Sequence, residues 1–419
     1  NTNAILVRAG ESIQAAINAA KPGSTILIEP GIYQEMGNAD GTNALEISKS
    51  HIRLIGLSEP MHLEKGEQNT ASIDEGGKPS RVILRNAGGQ RNGIVVVPGD
   101  RTECMDCHSS LAPPFPLLPG VDPTVETDPV LFDVEISGIN IENFPNNGLF
   151  TERLDGFRFV DIWSVNNRNY GIFPTLSKNG VITRSQASGA HDSGIWIQTS
   201  DNIQVTHSLM MDNVNGFEIS NSDDIYAAYN EMRDNTVGAA VFVLQDALFP
   251  VRPDANRYTL RRNWIHDNNR PNTASGGILA TATPGTGILA TGMDESRFIE
   301  NRIENHKAFG LVLTDSCLPL KGTDYDCDTT PVPPGFAGKT GAQIIEHNRV
   351  VGNVFINNGV EPLKEGPWAG LEGDIVFGSA GTAQTNCFKD NTYEKMRLLA
   401  NPPAKNIPRP APLPPGPCE

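Results

Sequence analysis

The sequence predicts an all-β repeat fold of short strands, and three observations carry that prediction. The first is a period. A glycine followed by a hydrophobic residue falls at Gly171-Ile172, Gly194-Ile195, Gly216-Phe217 and Gly238-Ala239, at spacings of 23, 22 and 22 residues. Self-similarity at a fixed period of roughly 20–50 residues marks stacked supersecondary units. The second is the polar cluster before each glycine: Asn166-Asn167-Arg168-Asn169, Ala190-His191-Asp192, Asp212-Asn213 and Asp234-Asn235. Asn tolerates tight corners and left-handed backbone there. The third is composition. The 419 residues include 41 Gly and 31 Pro, which favours turns over long helices, and 38% hydrophobic residues is low for a single globular core.

The elements follow in order. Residues 10–23 read GESIQAAINAAKPG, with Ile13, Ala16, Ile17 and Ala20 on one helical face. Pro22 and Gly23 end that helix by Lys21. A helix is expected to cap the first coil, since the end of a coil stack is an unpaired edge. Residues 24–33 read as the first strands. About ten or eleven coils then fit before residue 395, stacked at ~4.8 Å. Strands such as Ile203-Gln204-Val205 and Ile225-Tyr226-Ala227 precede the glycines. The run Asn263-Trp264-Ile265-His266-Asp267-Asn268 aligns with Asn230-Glu231-Met232-Arg233-Asp234-Asn235, and Asn301-Arg302-Ile303 and Asn348-Arg349-Val350 repeat its first half. Insertions at 98–131, 243–256, 277–296 and 314–342 are expected to project from one side. Residues 1–398 thus read as one repeat domain, and the Pro-rich stretch 399–419 as a tail.

This combination of period, short strands, corner Asn and capping helix resembles the right-handed parallel β-helix, the fold of pectate-lyase-like proteins. Within that class the chain resembles the uncharacterised exported bacterial repeat proteins. The resemblance implies fold and export, and no particular reaction.

The charge is 33 Lys+Arg against 49 Asp+Glu, a net −16. That excludes a basic footprint for nucleic acid. No apolar run is long enough for a transmembrane helix. Six cysteines are present, and Cys104-Met105-Asp106-Cys107-His108 reads C-x-x-C-H. This is the attachment pattern of one covalent haem c, in which two thiols add to the porphyrin vinyl groups. His108 is then the proximal iron ligand. Met61 and His62, in the 57–80 insertion, are the distal candidates. Met293 lies farther along the coils, and Met211 and His266 read as surface decoration. The pairings Cys317–Cys327 and Cys387–Cys418 are the local preference among three possible connectivities. Disulfides and haem c both belong outside the cytoplasm, so a periplasmic or extracellular location is expected.

Two functions from different classes follow. One is a monohaem cytochrome on a β-helix scaffold, passing electrons to a partner protein. The other is a carbohydrate-active lyase or epimerase, or a polysaccharide-binding protein, with Arg168, Tyr170, His191 and Asp192 as the candidate proton-transfer cluster. A solvated corner is the competing reading of His191 and Asp192, and an ordinary corner that of Asp223-Asp224. The acidic balance disfavours a polyanionic substrate unless calcium intervenes. Asp324, Asp326 and Asp328 are the calcium candidates. A structural surface rod is a third alternative.

Overall fold

The computed structural model describes residues 4–37, 41–60, 73, 76–98, 130–243, 256–315, 345–361, 363–364, 368–379, 385–398, 416 and 418. The chain forms a right-handed parallel β-helix and divides into two compact units, the first ending at Met211 and the second beginning at Asp212.

In the first unit the helix spans Ile13–Ala19, shorter than the expected stretch because Ser12 serves as N-cap, its hydroxyl accepting from the Ala15 N–H at 3.1 Å. Ile13, Ala16 and Ile17 are buried as the periodicity requires. Gln14 is buried too. Its amide accepts from Glu46 N at 2.7 Å and donates to Glu46 O at 3.2 Å. A side-chain amide thus replaces the backbone neighbour that the edge strand Asn43–Ile47 lacks. A strand at Ala4–Val7, absent from the sequence reading, pairs in parallel with Thr25–Ile28.

Three strand stacks build this unit. One runs Thr25–Ile28, Arg53–Gly56, Leu131–Glu142, Leu154–Val165, Lys178–Thr183. A second runs Gly31–Tyr33, Val82–Arg85, then the second halves of those two long strands, then Gln186–Ser188 and Leu209–Met211. The third runs Asn43–Ile47, Asn92–Val96, Leu149–Glu152, Ile172–Thr175, Ser193–Gln198. The repeat glycines have a steric cause: a Cβ on Gly171 would sit 2.3 Å from the Gly194 carbonyl oxygen of the next coil. Arg81 is fully buried and pins two coils. It donates to Asn140 Oδ1 at 2.7 Å and to Asp161 Oδ2 at 3.0 Å, and lies 4.0 Å over the Trp163 ring.

The second unit repeats the plan, with Val237–Phe242, Thr286–Thr291, Phe309–Thr314 and Gly373–Gly378 in unbroken register. Its corners carry side-chain ladders. Asn230, Asn263, Asn301, Asn353 and Asn391 link amide to amide at 2.9–3.0 Å. A second ladder runs Asn213, Asn235, Asn268, His306, Asn358. The left-handed backbone expected of the ladder Asn falls instead on the residue before it: Tyr229, Arg262, Glu300, Gly352 and Asp390 all have φ between 52 and 66°. The ladder Asn itself must point inward to reach two neighbours, so the preceding residue makes the bend.

Residues 277–296 are not one loop. They hold a 3₁₀ turn at Ile278–Thr281 and the strand Thr286–Thr291, so the insertion precedes that strand. Cys387 and Cys418 form a disulfide, and Gly416 N donates to Asn386 O at 2.8 Å, fixing the end of the tail as expected.

Candidate functional site

The first unit gathers aromatic and ionisable groups on one sheet face. Leu149, Ile172 and Ile195 align across three coils and are fully buried. Successive strand residues point to opposite faces, so Phe150, Phe173 and Trp196 line up on the other side. The Phe173 and Trp196 rings stack at 4.3 Å, and Phe150 meets Phe173 edge-on at 5.1 Å. Tyr170 closes the group, 4.8 Å from Phe173 and 4.7 Å from Trp196. Two residues farther along the same face lie Glu152, Thr175 and Gln198. Thr175 donates its hydroxyl to Gln198 Oε1 at 3.0 Å, and Glu152 pairs with Arg153 at 3.4 Å.

Asp192 sits at the start of the strand that carries Trp196. Its carboxylate accepts from the Ser193 hydroxyl at 3.2 Å and from the Tyr170 hydroxyl. Burial pushes the carboxyl up to about 7, against the opposing pull of those two hydrogen bonds. The group therefore changes protonation near neutrality, as general acid–base work requires.

Tyr170 and Asp192 are thus brought together. Arg168 and His191 are stacked on neighbouring coils, His191 N donating to Arg168 O at 2.8 Å, but both side chains are exposed. Arg168 faces a separate open cleft of 410 Å³ with Asn86, Asn143 and Phe144. The aromatic row escaped the sequence reading, although its signal is present: Gly148-x-Phe150, Gly171-x-Phe173 and Gly194-x-Trp196 share one offset.

Met211 and His266 are buried, not surface decoration, and Met293 is buried too. His266 stacks on Trp264 at 3.9 Å, with Asp267 at 2.8 Å from Nδ1 and Glu231 at 3.3 Å from Nε2. Those two carboxylates raise its pKa against the effect of burial, which is the largest single influence and acts downward. Asp223 and Asp224 form the ordinary corner anticipated for them, both paired with Arg257. Cys104, Cys107, His108, Met61, His62, Asp324, Asp326, Asp328, Cys317 and Cys327 lie outside the described residues. Among the described residues no group of three or more His, Cys, Asp or Glu is arranged to hold a metal ion.

Fold and face together define a right-handed parallel β-helix with a half-buried acid beside an aromatic sheet face. Structures of the same fold include DFA-IIIase from Arthrobacter chlorophenolicus A6 (TM-score 0.51, 13% identity, covering 96% of this chain and 83% of that one). The A-module of mannuronan C-5 epimerase AlgE6 from Azotobacter vinelandii has a TM-score of 0.50 at 14% identity, covering 92% and 91%. No curated protein sequence matches the chain. The family described as periplasmic copper-binding protein (NosD) matches residues 164–393, more than half of the chain. The chain belongs to this family, and its location is periplasmic. No helix among the described residues is long and apolar enough to cross a membrane.

Proposed function

We propose that this protein processes a carbohydrate in the periplasm, with Asp192 as the proton-transferring group and Tyr170 as its hydrogen-bond partner. The observation that carries the reading is the Tyr170–Asp192 contact beside the Phe173–Trp196 stack, with the carboxyl held near 7. Phe150, Phe173 and Trp196 are packed on one another and buried, so they hold Tyr170 in place beside Asp192, and a carboxyl titrating near neutrality serves as base or acid at ambient pH. One neighbour of similar fold is named as a mannuronan C-5 epimerase, which makes acidic glycans the class to test first. Deprotonated Asp192 takes the proton from the ring carbon next to a sugar carboxylate, the C–H electron pair passing into that carboxylate as an enolate, and return of a solvent-derived proton to the same carbon restores the C–H bond. The Tyr170 hydroxyl holds the Asp192 carboxylate in place and supports its charge. The measurement is solvent-deuterium incorporation at carbon into alginate and pectate oligosaccharides, followed by NMR. Incorporation that Asp192→Asn abolishes supports the reading. No incorporation into either of them, or activity undiminished in the variant, refutes it.

A second reading rests on the C-x-x-C-H run at 104–108. Haem c bound through Cys104 and Cys107, with His108 on the iron, would supply one-electron chemistry for a partner protein. A pyridine haemochrome assay of the protein made with a working cytochrome c maturation system decides it. A c-type α-band at one haem per chain supports it, and a colourless protein removes it. Copper is named for the family, and among the described residues no three His, Cys, Asp or Glu side chains are grouped to hold it.

A further inference from the structure

We infer that the second unit carries a pocket for an acetyl substituent on a sugar. The inference rests on the glycan reading above and names a substrate class for it. Strands Val237–Phe242, Thr286–Thr291 and Phe309–Thr314 place Leu289 beside Val312 and Phe242 beside Thr291. The 3₁₀ turn Ile278–Thr281 lays Leu279 over them, and Trp368 and Phe309, with ring centroids 5.9 Å apart, form part of the wall. Together they line a cavity of 30 Å³ with no charged residue in its wall.

Size and polarity select the occupant. A cavity of 30 Å³ has room for roughly two water-sized groups and excludes a sugar ring or an acyl chain. The hydroxyls of Thr281 and Thr286 already donate to the backbone carbonyls of Ile278 and Thr283, at 2.7 and 2.8 Å. Thr291 is 2% exposed, lines the cavity, and makes no side-chain hydrogen bond among the described residues. A group that fits is a methyl joined to one carbonyl acceptor: the methyl meets Leu289 and Val312, and the carbonyl oxygen accepts from Thr291. Acetamido and O-acetyl sugars carry that group, and their polar rings remain outside.

The test is saturation-transfer NMR on the full chain, with millimolar N-acetylglucosamine and glucosamine as probes. Transfer is expected to be strongest at the acetyl methyl and absent for glucosamine. Leu289→Phe fills the cavity and abolishes it. Thr291→Val keeps shape and fold while removing the donor, and weakens binding about fivefold to tenfold. No transfer to the methyl, or transfer undiminished in both variants, overturns the pocket. Non-acetylated oligosaccharides separate this outcome from failure of the glycan reading. If the protein turns them over in an Asp192-dependent way and no acetyl transfer occurs, the pocket alone falls. Acetyl binding without Asp192-dependent chemistry on any glycan keeps the pocket and removes the reaction.

Discussion

Asp192→Asn is expected to stabilise the protein, and to do so more at alkaline than at acid pH. Its carboxyl has an ordinary value of 3.8 and is raised by burial to about 7 in the fold. Between those values the folded chain holds a proton that the unfolded chain has released. Stability therefore falls as pH rises from about 4 to about 7, and is flat above. From pH 5 to 7 the span is 2 units, worth about 3 kcal/mol at 1.36 kcal/mol per unit. Asn mimics the protonated carboxyl, can still accept from the Tyr170 hydroxyl, and does not titrate. The advantage of the variant over the parent should grow by about 3 kcal/mol between pH 5 and pH 8. Urea unfolding of both proteins at the two pH values measures the difference directly. Parallel pH profiles would show that Asp192 ionises as an ordinary surface acid, and the proton-transfer role would lose its basis.

Other perturbations follow from the same geometry. Tyr170→Phe removes a hydrogen bond to the charged form, so the Asp192 midpoint should rise by about one unit, read from its carboxyl carbon by NMR. His306 is held neutral by burial, its pKa lowered from 6.5 to about 4, so acidification from pH 7 to 5 should cost about 2 kcal/mol. His306→Asn restores an amide rung and should erase that loss in the same unfolding assay. Arg81→Ala leaves Asp161 without its buried partner and should destabilise by about 3–5 kcal/mol in urea titration.

The coil period, the capping helix, the corner ladders and the Cys387–Cys418 bond were legible because each depends on local spacing. The candidate face was legible only in part. Tyr170 and Asp192 stood out as chemistry-bearing residues, yet their contact depends on how Asp192 is desolvated, which a corner-like sequence conceals. His266 read as exposed because its offset in the repeat is an outward one. Trp264, Glu231 and Asp267 then cover it, and pairing across coils separated by about 35 residues is invisible to a local pattern. The left-handed corner was placed one residue late, because the Asn that marks it in the sequence is the inward rung and not the bend.

That displacement has an evolutionary consequence. The bend residues Tyr229, Arg262, Glu300, Gly352 and Asp390 share a backbone shape and almost nothing else. Their identities are decoupled from the amides that hold the coils in register. They form a column of side chains at a pitch of ~4.8 Å, in which Arg262 bonds Tyr229 at 3.2 Å and Glu300 at 2.6 Å. A change at Arg262 is therefore felt by the coils on both sides, while the amide rungs that hold the register are untouched.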